Sequence, residues 1–250
     1  MCTLLKMMNP LLLLCSVFFI SSSALAQYLG AFHDYKNYFH VFDDGTDKAL
    51  EYLPVQSYKV GGNCIAYIDN TSSVKAYYKG NTYTLNEASP GEYTATNNLL
   101  VYKIASSLSV FDDGTFSTLS TATGDYSAGD SIVAFVDQKN KYFSVYYRGN
   151  VQNLEDLLTG NSFSTFTCGE NTLAYINYQD QFNVFFHNRI HKLDNVKPLQ
   201  FKADKNIVAY VDGYNQYLKV FYKGEDIVLE NTRPKKFKTG DDMVAYIDNT

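Results

Sequence analysis

Gly62-Asn63-Cys64-Ile65-Ala66-Tyr67-Ile68-Asp69 is the stretch that decides the fold, because the chain returns to it again and again. Asn206-Ile207-Val208-Ala209-Tyr210-Val211-Asp212 and Asp242-Met243-Val244-Ala245-Tyr246-Ile247-Asp248 are close copies. Reduced to a small or β-branched residue followed by an aromatic, the motif occurs at Ala31-Phe32, Ala66-Tyr67, Val101-Tyr102, Ala134-Phe135, Ala174-Tyr175, Ala209-Tyr210 and Ala245-Tyr246. The copies are spaced by 35, 35, 33, 40, 35 and 36 residues. A fixed period of this size marks a protein assembled from stacked structural repeats.

Two further landmarks keep the same beat. Gly45, Gly80, Gly114, Gly149, Asn188 and Gly224 are each followed, five residues on, by Leu50, Leu85, Leu119, Leu154, Leu193 and Leu229. From the second copy onward an aromatic stands eight residues before each Ala or Val, at Tyr58, Tyr93, Tyr126, Phe166, Phe201 and Phe237. Each unit therefore reads as four short strands. The first carries the aromatic and ends in a tight turn, usually with Gly (Gly61, Gly129, Gly169, Gly240). The second is almost wholly apolar, as in Ile207-Val208-Ala209-Tyr210-Val211, which suits burial on both faces. The third alternates more and is β-rich, as in Leu218-Lys219-Val220-Phe221-Tyr222. It bends through Asp44-Gly45, Lys79-Gly80, Asp113-Gly114, Arg148-Gly149 or Lys223-Gly224 into a fourth strand that carries the leucine. Such a bend needs positive φ, which Gly adopts freely and Asn tolerates best among the rest, so Asn188 fits the pattern.

Four antiparallel strands per repeat, joined by tight bends, predict radial blades and not a parallel solenoid. The expected fold is all-β: a β-propeller of four-stranded blades of about 35 residues. The "Ile-Ala-Tyr-x-Asp" strand after a short Gly-ended segment, followed by a "Val-x-Tyr" strand, resembles the TolB-like and WD40-like propeller repeats of exported bacterial proteins. The resemblance runs over residues 28–250 and bears on architecture, saying almost nothing of function.

The N-terminus has the form of a secretory signal: Lys6, an apolar run from Leu11 to Ile20, then Ser21-Ser22-Ser23-Ala24-Leu25-Ala26-Gln27. The run is too short to span a bilayer about 30 Å thick. The expectation is a signal peptide over 1–26, cleavage after Ala26, and a secreted or periplasmic propeller over 27–250. The first copy then begins at its second strand and the last ends inside its hairpin. Six blades closed by residues 235–239, or seven with the last incomplete, are the two counts considered; seven is favoured, in a chain cut from a longer one.

With 22 Tyr, 17 Phe, no Trp and only 19% charged residues, the composition excludes disorder and coiled coil. A net charge of −5, more negative still without Lys6, argues against nucleic acid or an anionic membrane as the main partner. No phosphate loop, nucleophile elbow or dinucleotide fingerprint occurs, and neither a cofactor nor a metal is expected. Carboxylates and amides three residues after the Ala (Asp34, Asp69, Asp137, Asn177, Asp212, Asp248) recur once per repeat, which suits turn capping better than catalysis. Glu51, Glu155, Asp194 and Glu230, after the leucines, also follow the repeat. Cys64 and Cys168 occupy small or apolar strand positions three repeats apart, so no disulfide is expected.

Length varies only in the second-to-third-strand hairpin and the connection between repeats, which share one face of a propeller. That face is the expected binding surface, with Asp156, Leu157 and Phe163 in the longest connection and Tyr178, Tyr214 and Tyr217 at hairpin tips. The function expected is a non-enzymatic module for a protein or glycan partner. The alternative is the propeller portion of a hydrolase or of a larger surface protein.

Overall fold

The computed structural model describes residues 29–157 and 165–249, which form seven antiparallel sheets in chain order. Sheet 1 contains β1 (Leu29–His33), β2 (Phe39–Asp43) and β3 (Thr46–Glu51). Sheet 2 contains β4 (Ser57–Val60), β5 (Cys64–Ile68), β6 (Val74–Tyr78) and β7 (Asn81–Asn86). Sheet 3 contains β8 (Glu92–Ala95), β9 (Leu99–Ile104), β10 (Ser107–Asp112) and β11 (Thr115–Ser120). Sheet 4 contains β12 (Thr123–Ala128), β13 (Ile132–Asp137), β14 (Tyr142–Tyr147) and β15 (Asn150–Asp156). Sheet 5 contains β16 (Phe166–Cys168), β17 (Thr172–Ile176), β18 (Phe182–Phe186) and β19 (Arg189–Asp194). Sheet 6 contains β20 (Gln200–Ala203), β21 (Ile207–Val211), β22 (Leu218–Tyr222) and β23 (Glu225–Glu230); sheet 7 contains β24 (Lys236–Gly240) and β25 (Met243–Ile247). The strands run in simple meander order, each paired to its sequence neighbour.

The six-blade closure through residues 235–239, the alternative to seven blades, is not formed. β24 pairs with β25 in its own sheet, and β1 pairs only with β2. Local chemistry decides this: Phe237 is followed by its own Met243–Ile247 partner strand, and a hairpin neighbour costs less chain entropy to pair than a distant edge.

Every bend between third and fourth strands has two residues, both at positive φ, as in Asp44 (46°) and Gly45 (81°). His187 and Asn188, at 47° and 64°, hold the same geometry without glycine. The second strands β5, β13, β17 and β21 are buried along their whole length. Apolar residues do not collect in one centre. They form six clusters, each bridging two neighbouring sheets. The first strands of successive sheets pack against one another, so the short first strands are innermost and the more exposed fourth strands outermost. Charged side chains on β3, β15, β19 and β23 protect those free edges from pairing with other chains.

At the inner end the turns between first and second strands come so close that side chains are excluded. A Cβ on Gly129 would lie 1.7 Å from the Gly169 carbonyl oxygen, and one on Gly61 would lie 1.8 Å from that of Thr96. Hydrogen bonds then step from sheet to sheet: Asn63 Nδ2 to Asn98 Oδ1 (2.7 Å), Ser131 Oγ to Asn171 Oδ1 (2.6 Å), Asn171 Nδ2 to Asn206 Oδ1 (3.5 Å) and Asn206 Nδ2 to Asp242 Oδ1 (3.1 Å). Between sheets 3 and 4 the ladder shifts by one residue, with the Asn97 backbone N–H and side-chain amide both donating to Asp130. Gly129→Ala is expected to lower stability by about 2–3 kcal/mol through this overpacking, read as a drop in the denaturation midpoint; an unchanged midpoint would refute the close approach.

Candidate functional site

Meander order puts the first-to-second and third-to-fourth turns at one end of every sheet. The second-to-third hairpins and the connections between sheets lie at the other. The hairpins at that second end, residues 34–38, 69–73, 105–106, 138–141, 177–181 and 212–217, differ in length as the sequence implies.

The recurring Asp and Asn residues build these hairpins. Asp34 Oδ1 accepts from the N–H groups of Lys36 and Tyr38, and Asp69 Oδ1 from those of Thr71 and Ser73. Asp137 accepts from Lys139 and Asn140, Asn177 from Gln179 and Gln181, and Asp212 from Tyr214 and Asn215. The turn-capping role read from their recurrence is the one they have. Sheet 3, where Ile104 breaks the series, turns tightly through Ala105 (φ 51°) and Ser106 instead.

The carboxylates after the leucines are likewise engaged within the scaffold. Glu51 Oε1 accepts from the Tyr67 hydroxyl at 3.0 Å and pairs with Lys75 at 2.7 Å, and Lys75 also reaches Asp69 Oδ2 at 2.9 Å. Burial works against the charge on Asp69, but Lys75, the Thr71 hydroxyl and the Ser73 N–H outweigh it and hold the carboxyl at about 2. The equivalent place in sheet 6 has Asp212 paired with Lys219, and burial together with Asp212 pushes the neighbouring Asp194 carboxyl upward. Burial and the Glu155 carboxylate raise the Tyr175 hydroxyl well above its usual range. Glu230 accepts from the Asn231 N–H at 2.8 Å. Each of these acids has a partner within the scaffold.

Burial also raises the Cys64 thiol to about 11 and the Cys168 thiol to about 12, which keeps both thiols protonated and unreactive. Both are free; Cys168 is only partly covered as a residue, but its sulfur donates to the Ser127 carbonyl at 3.2 Å. Among the described residues no group of three or more His, Cys, Asp and Glu side chains is arranged to hold a metal.

The expected binding residues fall into separate groups. Tyr214 is 87% exposed and Tyr178 49% exposed, at the tips of two hairpins. Tyr217 is half-buried, and its N–H donates to Asn215 Oδ1. Asp156 is exposed at the end of β15. Leu157 turns inward and packs on the cluster between sheets 4 and 5, so its apolar contact is internal. Phe163 lies outside the described residues. Two aromatics went unnoticed in the sequence: Tyr35, 88% exposed beside Asp34, and Tyr52, 70% exposed in the first connection. The signal for Tyr35 was present, since it follows its capping Asp just as Tyr178 follows Asn177.

Among the cavities that open where the innermost strands meet, two bear on function. One, of about 590 Å³, is framed at the constant-turn end by turns of five sheets, among them Gly61, Asn97, Asp130, Glu170 and Asp204. Burial, then the charge of Asp130, raises the Glu170 carboxyl, with Lys205 3.7 Å away offsetting part of the repulsion. The other, of about 460 Å³, lies between sheets 3 and 4 toward the hairpin end.

A family model described as a 10-bladed beta propeller domain matches residues 23–250. The chain belongs to that family. The ring of this family thus has ten blades, and the expectation of six or seven is corrected: the repeat period sets the size of a blade, while blade number follows from the angle between sheets, which the period does not encode. A search of the curated proteins finds no match. Among solved structures the chain is similar to the CRINKLY WD40 ectodomain of the receptor kinase ACR4 from Arabidopsis thaliana, at 10% identity over 90% of this chain and 87% of that one, with a TM-score of 0.46. It is also similar to Prp20p from Saccharomyces cerevisiae, described with its binding to Gsp1p and histones, at 9% identity over 78% and 70% of the two chains, TM-score 0.45. The ectodomain of the receptor kinase CR4 from Physcomitrella patens follows at 11% identity over 75% and 57%, TM-score 0.42. These likenesses are too distant to carry a function. No helix among the described residues of this ten-bladed-type propeller is long and apolar enough to cross a membrane.

The Asp69 network gives the scaffold a pH signature. The folded carboxyl titrates near 2, against about 3.9 in an unfolded chain. Its contribution is therefore complete above about pH 4 and disappears as the pH falls toward 2. Asp69→Ala is expected to cost about 2 kcal/mol at pH 7, and its deficit relative to the wild type should shrink between pH 4 and pH 2. Denaturant titrations at several pH values measure this; a deficit independent of pH would show that the charge is not what matters.

Proposed function

We propose that this chain is an exported, non-enzymatic propeller module that holds a protein or glycan partner on the face formed by its second-to-third-strand hairpins and inter-sheet connections. The observation that carries the reading is the set of tyrosines at those tips. Tyr35, Tyr178 and Tyr214 stand on rigid, Asp- or Asn-capped hairpins with their rings in solvent. Tyrosine offers a large contact area and a polar tip while losing little rotamer freedom on binding, and it is enriched at recognition surfaces. A solvated ring on a hairpin adds little to folding, so its presence on three hairpins suits recognition. The acids that a hydrolytic reading needs are engaged in turns and seams, which supports binding over catalysis. Export rests on the signal-like N-terminus.

The triple variant Tyr35→Ala, Tyr178→Ala, Tyr214→Ala should keep the wild-type melting temperature and recover at least tenfold less partner from secreted and envelope fractions in an affinity capture. Equal recovery by the triple variant would refute this face as the binding surface.

A further inference from the structure

The seam between sheets 3 and 4 is built differently from the others, in four ways that coincide. First strands pack on one another where sheets 2 and 3, 4 and 5, 5 and 6, and 6 and 7 meet, whereas β8 and β12 are in thinner contact. The nearby hairpin of sheet 3 is the two-residue Ala105-Ser106 turn, without the capped loop that other sheets place there. The pairing of β12 with β13 is broken between Thr123 and Tyr126, so the chain bulges at Gly124. The freed Gly124 carbonyl oxygen accepts from Lys103 Nζ at 3.0 Å. Strand bulges commonly redirect side chains at binding sites. The space left is the cavity of about 460 Å³, within the usual range for small-ligand sites.

Its walls carry a specific mixture of groups. Glu92 and Asp125 offer exposed carboxylates, Lys103 an ammonium, Thr94 and Tyr126 hydroxyls, and Phe166 one aromatic ring. Burial and Glu92, to which the phenol donates, raise the Tyr126 hydroxyl to about 12, so it keeps its proton and holds the Glu92 carboxylate in place. We propose that this cavity is a binding site for a neutral, hydroxyl-rich ligand, a saccharide unit. Carboxylates accept from adjacent sugar hydroxyls, the Lys103 ammonium donates to ring and hydroxyl oxygens, and a phenyl ring takes the C–H face of the sugar. A strongly charged ligand meets charge of its own sign in either case, from Lys103 or from Glu92 and Asp125. An apolar ligand would strip water from the exposed carboxylates of Glu92 and Asp125 without replacing it. The inference deepens the binding-module reading, on which it rests for the idea that the chain is a binder, but it uses residues separate from the tyrosine tips.

The test is ligand-observed NMR and calorimetry on the purified full chain with maltose, cellobiose and N,N′-diacetylchitobiose, beside a tetralysine peptide. At least one disaccharide should bind saturably at one site. Asp125→Asn, a change at an exposed position, and Lys103→Met should each weaken that binding tenfold or more with an unchanged melting temperature. Binding should be unaffected in the Tyr35/Tyr178/Tyr214 alanine variant, which separates this site from the hairpin face. The proposal is overturned if no disaccharide binds, if binding persists in folded Asp125→Asn, or if tetralysine alone binds in an Asp125-dependent way.

Discussion

The structure depends on one packing position repeated from seam to seam, filled by an aromatic wedge in three of the six seams described. Phe143 at the start of β14 sits between Phe166 and Tyr175 of the next sheet, with ring centroids 4.9 and 5.4 Å away. Phe182 stands in the same way between Phe201 and Tyr210, at 5.1 and 4.9 Å, and Phe39 between Tyr58 and Tyr67, at 5.2 and 5.0 Å. The tilted geometry is the one aromatic quadrupoles favour, and it adds about 0.5–1.5 kcal/mol per pair beyond burial. The other three seams replace the wedge by an aliphatic residue: Val74 against Tyr93 and Tyr102, Leu108 against Tyr126 and Phe135, and Leu218 against Phe237. Because the apolar contacts lie between sheets, no sheet has a core of its own. Stability therefore accumulates seam by seam, as in other repeat proteins.

That packing position holds the middle of each seam, and polar contacts hold its two ends. At the inner end, glycine turns let neighbouring backbones approach, and an amide ladder satisfies the groups that approach strips of water. At the outer end, tyrosine hydroxyls of third strands donate across the seam to carboxylates of neighbouring bends, as Tyr77 does to Asp43 (2.8 Å), Tyr78 to Asp113 (2.6 Å) and Tyr146 to Asp112 (2.7 Å). A scaffold tied at three levels leaves its hairpins free to vary. The tyrosine tips stand on the end that varies, and the cavity between sheets 3 and 4 is found where the usual hairpin has been shortened.

What the sequence determined by itself is the unit: its strands, its bends and its caps. Each is set by contacts within a few residues. The Asp-Gly and Lys-Gly bends need positive φ, the Asp34 and Asp69 caps bond N–H groups two and four residues on, and continuous apolar runs have no solvated face. Asn188 was legible as a bend for the same reason. Tyr178 and Tyr214 were legible as exposed because they follow a capped hairpin, while Leu157 was misjudged because nothing local tells a loop leucine that the seam of sheets 4 and 5 is beside it. Only the tertiary structure decided which units meet and how closely. The pairing of Glu51 with Tyr67 and Lys75, the ladder from Asn63 to Asp242, and the thin contact of β8 with β12 all join residues of different strands and depend on the angle between sheets. That angle is the summed result of side-chain packing across a seam. A repeat period does not contain it, so it fixes the blade and leaves the ring and its cavities to the packing.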